Sequence, residues 1–136
     1  MKFNKIVETC IYTSSLEKMK NFYIDYLGLD LVSEEEGRHV FLKAGKSMLL
    51  IFNPENTLNN SNSIFPKHGA FTPPSILHFA FEIKKEDYEK WKNLLQMKKI
   101  SIEKELEMRD SKSIYFHDPS GNIVEIITES FWPIED

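Results

Sequence analysis

Tyr115-Phe116-His117-Asp118-Pro119-Ser120-Gly121-Asn122-Ile123-Val124-Glu125-Ile126-Ile127 places one carboxylate inside an apolar strand, directly after a tight turn. Asp118 can bond the backbone from the first turn position, Pro119 is pre-set for the second and Gly121 suits the fourth, the pattern of a type I turn. Two strands therefore meet here. Side chains alternate along the outgoing strand, so Val124, Ile126 and Thr128 share one face and Ile123, Glu125 and Ile127 the other. A Glu between two Ile residues on one face is costly to bury unless it is protonated, paired or bound to a metal. The plainer reading is a Glu at the rim that reaches water.

Working outward, residues 1–53 and 73–130 repeat one order of patterns: a strand, an amphipathic helix, then three strands of which the last two form a hairpin. The repeat predicts an α+β fold of two βαβββ modules in a single domain spanning 1–136. Module 1 covers approximately 1–53, a linker 54–74 and module 2 approximately 75–136. In the first, Ile6–Tyr12 has strand character, and Ser14 with Glu17 forms a capping box ahead of a helix. Leu16, Met19, Phe22, Tyr23, Tyr26 and Leu27 recur on one face of that helix, and Gly28 stands where a terminating glycine belongs. In the second, Ile76–Phe81 is the strand, and Tyr88, Trp91, Leu94 and Leu95 mark the helix.

Superposing the modules aligns Ile6-Val7-Glu8 with Ile76-Leu77-His78, so Glu8 and His78 become equivalent. Gly45–Ile51 aligns with Gly121–Ile127, which sets Leu49 opposite Glu125. Four equivalent strand positions then carry Glu8, Leu49, His78 and Glu125. One imidazole and two carboxylates on one sheet face can hold a divalent cation and leave coordination positions open. A strand His taken alone is more often a satisfied core residue; agreement of register across the repeat is what favours a site.

With these residues the sequence resembles the vicinal oxygen chelate superfamily, which includes glyoxalase I, fosfomycin-resistance enzymes, extradiol dioxygenases, methylmalonyl-CoA epimerase and bleomycin-resistance proteins. The resemblance covers nearly the whole chain. Thr13, Leu16-Glu17, Phe22-Tyr23 and Leu27-Gly28-Leu29 resemble the family's opening segment, and Asp118–Asn122 followed by Glu125 its closing signature. It implies that the paired modules form a cup-shaped mixed sheet with a metal at its base, held by Glu8, His78 and Glu125, and that short chains often assemble the cup across a dimer. Most three-ligand members carry His where this chain has Glu8, and four-ligand glyoxalases carry a carboxylate where it has Leu49. A single His also disfavours the two-His-one-carboxylate iron site of the dioxygenases.

The expected function is a divalent-metal-dependent lyase or isomerase of glyoxalase type, using Zn, Ni or Mn, with Glu125 or Glu8 as the general base. The alternative is an antibiotic-resistance protein of the bleomycin-binding or fosfomycin-thiol-transferase type. Cys10, Tyr12, Leu49, Ile51 and Tyr115 are expected to line the cup and contact a small, mostly apolar substrate. Ala80, Ile123 and Ile127 share that lining, and Arg38 stands at its mouth. His39 and His117 are placed away from the cup-facing positions, as structural or exposed residues.

At 136 residues, 41% apolar and with a formal net charge of −4, the chain suits a small globular domain and has no basic footprint for nucleic acid. No apolar run approaches the roughly 18 residues of a membrane helix, and no signal-peptide pattern precedes the first strand. A cytoplasmic homodimer is expected. Cys10 is the only cysteine, so no intrachain disulfide can form. Between the modules, Asn59–Ser63 reads as a linker, whereas Phe65 and Phe71 are bulky enough to close over a cup as a lid.

Overall fold

Thr9-Cys10-Ile11-Tyr12 is rich in β-branched and aromatic side chains, which suit a pleated surface, and it lies in β1 (Glu8–Tyr12). The computed structural model describes residues 1–59, 64–69 and 76–134. By its internal contacts the chain divides into two units, Met1–Ser75 and Ile76–Asp136. Unit 1 continues with α1 (Leu16–Asn21), which passes into a wider π turn at Phe22–Tyr26. After it come β2 (Asp30–Glu35), β3 (His39–Ala44), β4 (Ser47–Phe52) and α2 (Pro54–Asn59). Unit 2 contains β5 (His78–Ile83), a 3₁₀ turn at Lys85–Asp87, α3 (Tyr88–Met97), β6 (Lys104–Met108), β7 (Ser111–His117) and β8 (Ile123–Thr128).

Each unit builds a four-stranded mixed sheet on one plan. The orders are β1-β4-β3-β2 and β5-β8-β7-β6. The first strand of each runs parallel to the last, and the remaining pairs are antiparallel. This is the α+β, repeated βαβββ arrangement read from the sequence.

One face of each sheet is a core. In unit 1, Ile11, Val40, Leu42, Leu49 and Ile51 are buried, together with Met19, Phe22, Tyr23 and Leu27 from the helical segment; α1 packs on β3 and β4. In unit 2, Ile114, Phe116, Val124 and Ile126 are buried, as are Tyr88 and Leu95 of α3. Each such side chain contributes about 1.5–3 kcal/mol by leaving water. Among the described residues, no helix is long and apolar enough to cross a membrane.

The predicted turn at Asp118 forms as its chemistry requires. The Gly121 N–H reaches the Asp118 carbonyl at 3.0 Å. Asp118 Oδ1 accepts from the N–H groups of Ser120 and Asn122 at 2.9 and 3.0 Å, and Oδ2 accepts from Asn122 Nδ2 at 2.7 Å. Gly28 likewise ends the first helical segment in the left-handed conformation, at φ +76°. The expected capping box does not form. Ser15 rather than Ser14 is the N-cap, with no side-chain cap bond, because Thr13 Oγ1 takes the Ser15 N–H at 2.9 Å and makes the turn itself.

Within the segment read as the linker lies α2, where Pro54 occupies the first helical position and Asn53 Oδ1 accepts the Glu55 N–H at 3.1 Å. One further expectation needs correction. The hairpin alignment is also one residue out of step. β3 and β4 join through the two-residue loop Gly45-Lys46, with Ala44 opposite Ser47. β7 and β8 join through the five residues Asp118–Asn122, with His117 opposite Ile123. Matching the two glycines therefore misplaces the strands: Glu8 pairs with Met48 and Cys10 with Leu50, as His78 pairs with Ile123 and Ala80 with Glu125. The equivalent of Glu125 is Leu50.

Candidate functional site

Glu125 lies in the middle of β8, with Ala80 of β5 on one side and Tyr115 of β7 on the other. Only 6% of its surface is exposed, and its charge is met from three directions. Oε1 lies 3.1 Å from His78 Nε2. Oε2 accepts a 2.7 Å hydrogen bond from Ser113 Oγ. The Tyr115 phenol is raised above its ordinary pKa by burial, then by the charge of Glu125 and a hydrogen bond with it, against an opposing bond with Ser113. Tyr115 therefore stays a protonated donor at neutral pH.

His78 opens β5 and is half-exposed, and its ring stacks on Tyr115 at 6.0 Å between centroids. Its Nδ1 lies 3.2 Å from the Ile123 carbonyl oxygen. A carbonyl can only accept, so Nδ1 carries the hydrogen. Nε2 is then the ring nitrogen that faces the carboxylate oxygen, at a separation that either a proton or a metal ion can bridge. The chemistry of this donor set suits a divalent metal, for which His78 Nε2 and Glu125 would be the ligands and Ser113 would orient the carboxylate.

In unit 1 the matching face carries different chemistry. Register places Glu8, Cys10 and Tyr12 of β1 on one face with Met48, Leu50 and Phe52 of β4 and with His39, Phe41 and Lys43 of β3. Glu8 is exposed at the start of its strand. Burial, then the charge of Glu8, pushes the Cys10 thiol above its ordinary pKa. Tyr12 Oη lies 2.7 Å from His68 Nδ1, and the His68 ring meets the Phe52 ring edge to face at 4.9 Å. His39 stacks on Phe41 at 4.0 Å, and burial followed by Arg38 pushes its pKa down.

Unit 2 thus brings His78, Glu125 and Tyr115 together, and unit 1 places Cys10 and Tyr12 on the face of Glu8. Leu49 and Ile51 are not on that face. They pair with Thr9 and Leu42, and with Ile11 and Val40, on the side packed against α1, so neither can contact a substrate lying against Glu8 and Cys10. His39 and His117 share the faces from which the sequence reading excluded them: His39 is opposite Phe52, and His117 is opposite Ile123. His117 Nε2 instead meets Glu103 at 3.2 Å. Phe65 is 65% exposed, and His68 is a linker side chain seated on the unit 1 face; Phe71 lies outside the described residues. Among the described residues, no group of three or more His, Cys, Asp and Glu side chains is gathered closely enough to hold a metal.

Ser113 and His68 are the polar residues the sequence reading missed. Ser113 had a signal, since it shares strand parity with Tyr115 on the strand facing Glu125. His68 had none beyond its place in the linker.

The sequence pattern of the Glyoxalase/Bleomycin resistance protein/Dioxygenase superfamily matches residues 5–126, and the chain belongs to that superfamily. Within it, the chain is 33% identical over 119 residues to Metallothiol transferase FosB of Staphylococcus haemolyticus, covering 86% of this chain and 78% of that protein. A Metallothiol transferase FosB of Staphylococcus epidermidis is 30% identical over 131 residues, covering 94% and 84%. The crystal structure of lactoylglutathione lyase from Agrobacterium tumefaciens superposes with a TM-score of 0.89 at 34% identity, over 98% of this chain and 100% of that one. A glyoxalase/dioxygenase from Nostoc punctiforme, 21% identical with a TM-score of 0.69 over 93% and 91% of the two chains, shares the fold.

Proposed function

We propose that the protein is a divalent-metal-dependent enzyme that carries out proton transfer or addition on a small oxygen-chelating substrate. The observation that carries this reading is the approach of His78 Nε2 to Glu125 Oε1 at 3.1 Å, with the other ring nitrogen committed to the Ile123 carbonyl. Glu8, equivalent to His78 in the repeat, is the proposed third ligand. A divalent ion bound there supplies Lewis acidity toward a substrate carbonyl or oxygen pair. Ser113 holds the Glu125 carboxylate in one orientation, Tyr115 donates to a substrate oxygen, and Glu125 or Glu8 accepts the proton.

The names of the relatives narrow the chemistry, since one is a metallothiol transferase and the other a lyase of a glutathione adduct. Both involve a thiol. The reactions that fit are isomerisation of a thiol adduct, as in the glyoxalase reading, and addition of a thiol to a small electrophile, as in a fosfomycin-thiol-transferase. We infer in addition that the protein works as a two-fold dimer in which Glu8 comes from a second copy of the chain.

A direct test assays metal-stripped protein, reloaded with Mn²⁺, Ni²⁺ or Zn²⁺, on the hemithioacetal of an α-oxoaldehyde and on thiol addition to a small epoxide. One of the two should proceed above background only with metal, and Glu125→Gln should abolish it. Mixing Glu8→Ala with Glu125→Ala protein under subunit exchange should restore part of the activity. Rates equal to background in both assays with every metal would overturn the enzyme reading.

A further inference from the structure

Beside Glu125, a cavity of about 180 Å³ opens between β6, β7, β8 and the segment that follows β8. Glu125, Tyr115 and Ser113 border it on the side of the candidate site, and Leu106, Met108, Ile127, Phe131 and Trp132 form its walls. Met108 and Trp132 are 52% and 61% exposed, which is apolar surface that a bound group would take out of water. The volume suits a group of defined size, since an engineered cavity of roughly 150 Å³ lined by Leu, Ile and Phe takes up benzene.

The electrostatics of the lining select further. No Lys or Arg lines the cavity among the described residues. Arg109 lies over the Phe131 ring, 5.3 Å from its centroid, and steadies that wall without lining the space. The two serine hydroxyls are already committed, Ser113 Oγ to Glu125 and Ser111 Oγ to the Glu129 carbonyl at 3.3 Å. An anionic group seated in the cavity would find no Lys or Arg in its walls and would face the Glu125 carboxylate at its border, at a cost that a low-dielectric wall increases.

We propose that the cavity receives an uncharged apolar group, of the size of a phenyl ring or a branched alkyl chain, carried by a substrate whose oxygen-bearing end faces His78 and Glu125. This presupposes the chemistry proposed above for the same site, and it adds a specificity: at the end of the substrate that enters the cavity, an uncharged apolar group is preferred over an anionic one. Met108 and Trp132 are the residues that set the preference.

The test needs no metal and no turnover. In a Trp91→Phe background, Trp132 is the one remaining tryptophan of the two in the chain, and its emission reports on the cavity directly. Metal-free protein is titrated with benzyl alcohol and with phenylphosphonate, two probes that share a ring and differ in charge. Benzyl alcohol should change the emission saturably and bind at least tenfold more tightly than phenylphosphonate. Met108→Asp, at a half-exposed position where folding is not at stake, should weaken benzyl alcohol at least fivefold. Equal binding of the two probes, tighter binding of the phosphonate, or no saturable change would overturn the proposal. Trp132 emission already shielded from acrylamide in the free protein would do so as well. Failure of this titration leaves metal-dependent chemistry standing, whereas a protein that binds benzyl alcohol but no divalent ion retains the cavity and loses the proposed function.

Discussion

Position by position, the two sheets show one scaffold carrying two chemistries. Where unit 1 presents Glu8, Cys10 and Leu50, unit 2 presents His78, Ala80 and Glu125. Where β3 offers His39 and Phe41, β7 offers Ser113 and Tyr115. One face is an aromatic assembly of Tyr12, Phe41, Phe52 and His68; the other is an imidazole and a carboxylate with two hydroxyls around them. Backbone pairing fixes where a side chain can point, and a single exchange such as leucine for glutamate decides whether that place is apolar or carries a carboxylate.

The largest effect separates the two faces of β4. Leu49→Glu puts a charge into the core against α1, and should destabilise unit 1 by roughly 3 kcal/mol or more, with or without a divalent ion. Leu50→Glu puts the same charge where unit 2 keeps Glu125, so Mn²⁺ should raise its melting temperature more than it raises that of the wild type. Thermal denaturation of both variants with and without Mn²⁺ checks this, and equal metal rescue of both would contradict the register.

The hairpin loops differ next. Asp118→Ala removes three hydrogen bonds accepted by a buried carboxylate at the base of the turn and should cost about 2 kcal/mol or more in denaturant unfolding. Lys46→Ala, in the two-residue loop of unit 1, should stay within about 0.5 kcal/mol.

Ser113→Ala releases Glu125 Oε2, and should weaken metal binding about tenfold in calorimetry while leaving the fold intact. His39→Ala, at the matching position of unit 1, should leave metal affinity unchanged.

The smallest effect concerns Cys10. Burial and Glu8 raise its pKa, so alkylation by iodoacetamide should rise with pH at a midpoint above that of an ordinary thiol. Glu8→Gln removes one of the two causes, lowers the midpoint and should speed alkylation a few-fold at pH 8, as read by mass spectrometry; an unchanged rate would separate Cys10 from Glu8.

What could be read in the sequence follows from the range of the forces involved. The Asp118 turn was legible because its bonds span four residues, and the strand placement of His78 and Glu125 was legible because alternation is local and the repeat supplies a second copy of the same pattern. Leu49 was misassigned because register depends on the length of the loop before the strand, and Gly45 and Gly121 hold different places in loops of two and five residues. The Ser14 cap failed because Thr13 competed for the same turn. Ser113 and His68 act through partners at least ten residues away along the chain, where single-strand patterns carry no information.

The central claim is that His78 and Glu125 form a divalent-metal site. Metal analysis of protein purified without chelators, followed by calorimetric titration of stripped wild type, His78→Ala and Glu125→Gln with Mn²⁺, Ni²⁺ and Zn²⁺, tests it most directly. The account predicts about one ion per chain in the wild type, and an affinity loss of at least tenfold in each variant. A wild type that binds none of these ions at micromolar concentration, or variants that bind them as tightly as the wild type, would contradict it.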